Sequence, residues 1–160
     1  METLNKELAA SIRAYMIAHT KTIAVAESVT SGLLQWYLSS IPDASKFFQG
    51  GITTYNVGQK YKHLQVEPLY AISVNCVSAR VASEMARHCC CLFASRWSIA
   101  VTGYASAVPE SGGECFAFYA IANEDEIVAE GKIIPTDNHP EHVQFFYARE
   151  ILEILGNILK

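Results

Sequence analysis

Charge is scarce in this 160-residue chain: 18% of the residues are Asp, Glu, Lys or Arg. The twelve basic ones are scattered, apart from a small cluster at Lys60, Lys62 and His63. Net charge is −4 and the pI is near 5.7. A nucleic-acid partner needs a concentrated surplus of Lys and Arg, so none is expected. The roughly 20-residue apolar run of a membrane helix is missing too. Met1 to Lys21 carries charges in a helical pattern and lacks the apolar stretch of a secretory signal. These absences point away from a membrane and toward the cytoplasm. The five cysteines lack useful spacing, because Cys89, Cys90 and Cys91 are consecutive and point different ways from one helix. They give neither a disulfide framework nor a CxxC zinc site, and read as small buried hydrophobes.

Apolar residues, by contrast, are plentiful at 51%. That excludes a disordered chain and suits one domain over residues 1–160, since common domains hold roughly 100–150 residues. Leu4, Leu8, Ile12, Tyr15 and Met16 recur at spacings of three and four, the mark of an amphipathic helix. Thr22 to Ser28 reads as a short buried strand, and Thr30 as the N-cap of a helix carrying Leu33, Leu34, Tyr37 and Leu38. Gly50-Gly51 leads into a second strand, Ile52 to Tyr55, followed by a polar helical turn with Lys60. Ser78 caps a longer helix with Val81, Met85, Cys89 and Phe93 on one face. Trp97 to Thr102 is a third strand. Two alternating runs, Cys115 to Asn123 and Ile127 to Ile134, make a hairpin about Glu124-Asp125. A last amphipathic helix spans about Glu141 to Leu159. This order predicts an α/β three-layer sandwich, a mostly parallel sheet with helices on both faces and an antiparallel edge hairpin.

Three stretches place polar or small residues just past strand ends, where open α/β sheets bind ligands. In Ala26-Glu-Ser-Val-Thr-Ser-Gly32 a strand turns into a helix at Ser28, and the helix start offers N–H groups to an anion or oxyanion. On pattern alone, Ser28 and Thr30 read first as plain helix caps. In Gly50-Gly-Ile-Thr-Thr-Tyr-Asn-Val-Gly-Gln-Lys60, Tyr55 and Lys60 follow a strand. A buried lysine can serve as the base for a serine nucleophile, though a lone lysine ordinarily stays solvated. Val101-Thr-Gly-Tyr-Ala105 by itself says only that the chain turns.

Together, in this order, the three stretches resemble the signature blocks of the CinA C-terminal domain family. Those blocks run Ala-Glu-Ser-Cys-Thr-Gly-Gly, then Gly-Gly-x-x-x-Tyr-Ser-Asn-x-x-Lys, then Thr-Gly-Ile-Ala-Gly-Pro. Asn75-Cys-Val-Ser78 is similar to the family's Gly-Ala-Val-Ser. The resemblance runs from about Lys6 to the C-terminus. It implies an amidohydrolase that converts the carboxamide of nicotinamide mononucleotide to a carboxylate and ammonia. By the same resemblance Ser28 is the nucleophile, Lys60 its base, and Tyr55 an aid to proton transfer. Thr30, Ser31, Gly32, Thr102 and Gly103 are the expected substrate-binding residues. No metal or organic cofactor is implied. The expected partner is a pyridine nucleotide or related amide, and the expected assembly a homo-oligomer. A catalytically silent binding or self-associating module is the alternative.

The chain departs from the family pattern at several points. Ser31 replaces the first glycine of the pair, Val29 the cysteine, and Tyr104-Ala-Ser-Ala107 the Ile-Ala-Gly-Pro. The family's Gly-Asp-Arg-x-x-Val-Arg aligns with Asn138-His-Pro-Glu-His-Val-Gln144, so both arginines are gone. Arginine is the usual bidentate partner of phosphate, and its loss predicts a weaker hold on a nucleotide. His139 and His142 have helical metal spacing, but Pro140 lies between them and no third ligand is evident.

Overall fold

The structure is a computed structural model that describes residues 3–160. Helix α1 (Lys6–Ala18) begins at Asn5, whose side chain accepts from the N–H groups of Glu7 and Leu8. The other helices are α2 (Leu33–Ser39), α3 (Val57–Leu64), α4 (Pro68–Ser73), α5 (Ala79–Phe93) and α6 (Pro140–Ile158). The strands are β1 (Ile23–Glu27), β2 (Phe48–Thr53), β3 (Trp97–Gly103), β4 (Ala117–Asn123) and β5 (Glu126–Ile133). They form one sheet in the order β2-β1-β3-β4-β5. β1 runs parallel to both β2 and β3, while β3-β4 and β4-β5 are antiparallel. The hairpin thus closes one edge, as the sequence predicts.

Strand alternation decides what each face carries. On one face, Ile23, Val25, Trp97, Ile99, Val101 and Ile121 project large side chains into a core shared with α1, α2 and α6. The residues between them, Ala24, Ala26, Ala100, Ala120 and Ala122, carpet the other face under α3, α4 and α5. Short side chains let α5 lie close, and the Ser98 hydroxyl donates to the Ala86 carbonyl in that helix at 2.6 Å. Both faces of β1 and β3 are therefore buried, which is why these two strands look largely apolar in the sequence. Among the described residues no helix is long and apolar enough to cross a membrane.

Three local readings change. Strand β2 begins four residues before the expected Ile52, so both glycines lie inside it. A side chain at Gly51 would sit 2.5 Å from Val25 Cγ2 and 2.5 Å from Gln35 Cγ, so only glycine lets β2, β1 and α2 meet here. Thr30 is not the cap of α2. Ser31 (φ +49°) and Gly32 (φ +103°) are left-handed, the helix starts at Leu33, and Gly32 in the cap position makes no side-chain bond. Cys91 is exposed, whereas Cys89 and Cys90 are buried as expected. Ser78 does cap α5, accepting from Val81 N–H at 3.1 Å.

Candidate active site

Strands β1, β2 and β3 are parallel, so their carboxyl ends lie on one side of the sheet. Ser28 follows β1, Thr54 and Tyr55 follow β2, and Thr102 and Gly103 close β3. From there α3 carries Lys60 back toward the sheet. Its N-cap, Asn56, fixes the start by accepting from Gln59 N–H at 3.0 Å. The residues meet at a cavity of about 500 Å³. That falls within the range of small-molecule sites, roughly 300–1,000 Å³.

Lys60 and Ser28 are in direct contact. The Lys60 Nζ donates to Ser28 Oγ at 2.9 Å and to the Thr54 carbonyl at 2.6 Å. Lys60 is 1% exposed and Ser28 7%. Burial pulls the Lys60 pKa down to about 8, against the opposing effect of the neighbouring Cys76. An amine with that pKa can lose its proton near neutrality. Once neutral it keeps one N–H on the Thr54 carbonyl and turns its lone pair to the Ser28 hydroxyl. That is the geometry of a base beside a nucleophile.

Thr102 and Gly103 line the same cavity. The Thr102 hydroxyl is committed to the Cys76 carbonyl at 2.7 Å, so it shapes the wall. A side chain at Gly103 would meet the Phe116 carbonyl at 2.5 Å, so β4 packing explains this glycine. Tyr55 stands at the rim, 71% exposed. Among the described residues no hydrogen bond joins it to Ser28 or Lys60.

The other expected binding residues stand elsewhere. Thr30, Ser31 and Gly32 are not among the cavity-lining residues. Thr30 is fully buried, and its hydroxyl donates to Glu27 Oε1 at 2.6 Å. Glu27 also accepts from Leu34 N–H at 2.8 Å, Gln35 N–H at 3.2 Å and the Gln35 side chain at 3.0 Å. The N–H groups of Leu34 and Gln35 at the start of α2 are therefore taken up by the chain's own Glu27 side chain. The cue for this was the Glu immediately before Ser28.

Sequence reasoning also missed Cys76, Asn75 and Tyr104 in the cavity wall. Asn75 (φ +50°) and Cys76 (φ +61°) are both left-handed. The glycine that the family pattern carries at position 75 was the available signal. Asn75 Nδ2 donates to the Tyr104 hydroxyl at 3.1 Å. The Cys76 thiol is half-buried, and its pKa is raised by that burial although Lys60 works against the rise. Gln144, where the family has arginine, donates its side-chain amide to the Val29 carbonyl at 2.8 Å. It thus braces the residue next to Ser28. His142 pairs with Asp137 at 2.6 Å, and no cluster of three metal-ligating side chains occurs among the described residues.

The sequence matches the CinA C-terminal domain over residues 5–157. The chain belongs to that family. A CinA-like protein of Trichodesmium erythraeum is 32% identical over 128 residues, which is 78% of this chain and 30% of that protein. A CinA-like protein of Frankia casuarinae is 31% identical over 123 residues, 76% of this chain and 28% of that protein. The chain thus spans less than a third of the curated relatives it matches. A competence-damaged protein (CinA) superfamily structure from Klebsiella pneumoniae superposes with TM-score 0.89 at 26% identity, covering 96% of both chains. A competence or damage-inducible protein from Enterobacter asburiae, at 20% identity and TM-score 0.91, shares the fold and covers 99% of this chain. In this CinA domain, all three signature blocks reach the cavity or its supporting turn.

Proposed function

We propose that this CinA domain is an amidohydrolase acting on a pyridine carboxamide, the reaction class of nicotinamide-mononucleotide deamidation. One observation carries the reading: a buried lysine, its pKa lowered to about 8, rests 2.9 Å from a serine hydroxyl in a small-molecule cavity. Neutral Lys60 takes the Ser28 proton as Oγ adds to the amide carbon. The tetrahedral intermediate collapses when the C–N bond breaks and the Lys60 ammonium protonates the departing nitrogen, releasing ammonia. Water, deprotonated by Lys60, then attacks the Ser28 ester. The C–Oγ bond breaks, the Lys60 ammonium returns its proton to Ser28 Oγ, and the acid product leaves as a carboxylate after giving its proton to solvent. Tyr55, at the rim, lines the cavity mouth without a hydrogen bond to Ser28 or Lys60, and the two-residue cycle does not require it. Thr102 and Gly103 shape the wall against which the amide rests.

A silent binding module is the weaker reading. Burying an amine destabilises a fold, and a chain with no chemistry to perform gains nothing from placing one against a serine. The test is ammonia release by purified protein from a panel of pyridine carboxamides, with Ser28→Ala, Lys60→Ala and the double variant. Each single variant should lose roughly 10²–10⁴-fold, and the double variant little more, because paired groups act as a unit. Turnover that persists in Ser28→Ala, with native circular dichroism, rejects Ser28 as nucleophile.

A further inference from the structure

The charge of the cavity wall narrows the substrate, on the reading that Ser28 and Lys60 hydrolyse an amide. Among the described residues that line it, Lys60 is the one charged side chain. Its N–H groups are already directed at Ser28 Oγ and the Thr54 carbonyl. The remaining polar side chains are neutral, and the others are small or apolar, such as Ile72, Val57, Val77 and Val108. The backbone N–H groups of Leu34 and Gln35 at the start of α2 serve Glu27 and not the cavity.

We propose that this cavity selects a small amide that carries no anionic group: the free pyridine carboxamide or its nucleoside, not its phosphorylated form. Two physical effects act together. A phosphate in this cavity gives up water and meets no guanidinium or second ammonium in return, so only neutral donors are left to offset its desolvation. A phosphate near Lys60 also favours the ammonium form, and so withdraws the neutral amine that must deprotonate Ser28. Neutral groups suit a neutral ligand better. The Tyr104 hydroxyl accepts from Asn75, which leaves its own proton to donate to a carbonyl or a ribose hydroxyl. The same lack of fixed cations lets the carboxylate product depart.

The experiment compares nicotinamide, nicotinamide riboside and nicotinamide mononucleotide as substrates of the purified chain at pH 8 and fixed ionic strength. The expected result is a kcat/KM for the riboside or the free amide at least about tenfold above that for the mononucleotide. A mononucleotide value equal or higher overturns the inference while leaving the amidohydrolase reading intact, and would show that phosphate is held from outside these walls. If none of the three is turned over, the amidohydrolase reading fails. Calorimetric titration of the same three compounds then decides the charge preference. Tighter binding of the riboside or free amide than of the mononucleotide sustains it. Tighter mononucleotide binding, or binding of none, overturns it.

Discussion

The carboxylate of Glu27 and the hydroxyl of Thr30 are joined at 2.6 Å in the interior, directly behind Ser28. All four partners of Glu27 are donors: Thr30, Leu34, and both the main chain and side chain of Gln35. Glu27→Gln would turn one acceptor oxygen into a donor facing donors. Each group left unmet costs about 1–3 kcal/mol, so urea unfolding should show a loss in that range or somewhat above it. Thr30→Val removes a single bond and should lose about 1 kcal/mol. Because Glu27 touches Ser28 only through the chain, kcat should fall in the Gln variant with KM little changed. A stability unaffected by Glu27→Gln would show that this network does not hold the turn.

The rate should depend on pH through Lys60. With a pKa of about 8, about a tenth of the amines are neutral at pH 7, and only that form can accept the Ser28 proton. Turnover should therefore climb about tenfold from pH 6 to 7, level off above 8, and show its inflection near 8. A profile flat between pH 6 and 9 would remove Lys60 from the role of base.

Stability should move with pH in the same window, with a definite sign. The folded pKa of Lys60 is about 8 and the unfolded value is 10.5. Below 8 the lysine is protonated in both states, and the fold bears the full burden of the buried charge. Between 8 and 10.5 the unfolded chain binds more protons, so stability rises with pH. The gain attributable to Lys60 is on the order of 3 kcal/mol. Cysteines whose pKa is raised by burial, Cys89 among them, push the other way at high pH. Chemical denaturation of the wild type and of Lys60→Met, measured at each pH, isolates the lysine. The stability of the wild type relative to Lys60→Met should rise above pH 8, and parallel curves would contradict the lowered pKa.

Gln144 offers a gain-of-function test. Its amide already reaches the Val29 carbonyl beside the cavity, so an arginine there can keep that bond and direct further N–H groups toward the wall. A charged hydrogen bond to phosphate is worth about 1.5–3 kcal/mol. Gln144→Arg should therefore raise kcat/KM for the mononucleotide relative to the riboside about ten- to a hundredfold. An unchanged ratio would place the phosphate out of reach of position 144.

The elements and the kind of chemistry on offer are legible in the residues alone. Apolar periodicity marked α1, α5 and α6, because one buried face per helix leaves a local imprint at spacings of three and four. Alternation of Ile and Val with Ala in β1 and β3 set which residues face which core. Ser28 and Lys60 stood out only through the resemblance of their stretches to the family's signature blocks. The folded arrangement adds the pairs distant along the chain. Lys60 meets Ser28 across 32 positions, and Gln144 meets Val29 across 115. A lysine's pKa depends on what surrounds it, and burial behind β1 and β2 is a property of the sheet order, not of the residues flanking Lys60. The cap of α2 went the same way. Thr30 has the chemistry of a helix cap, but the carboxylate of Glu27, placed by the end of β1, accepts both the helix N–H groups and the Thr30 hydroxyl. Local sequence states which groups can hydrogen-bond; the competition among them is settled by which one the fold brings within 3 Å.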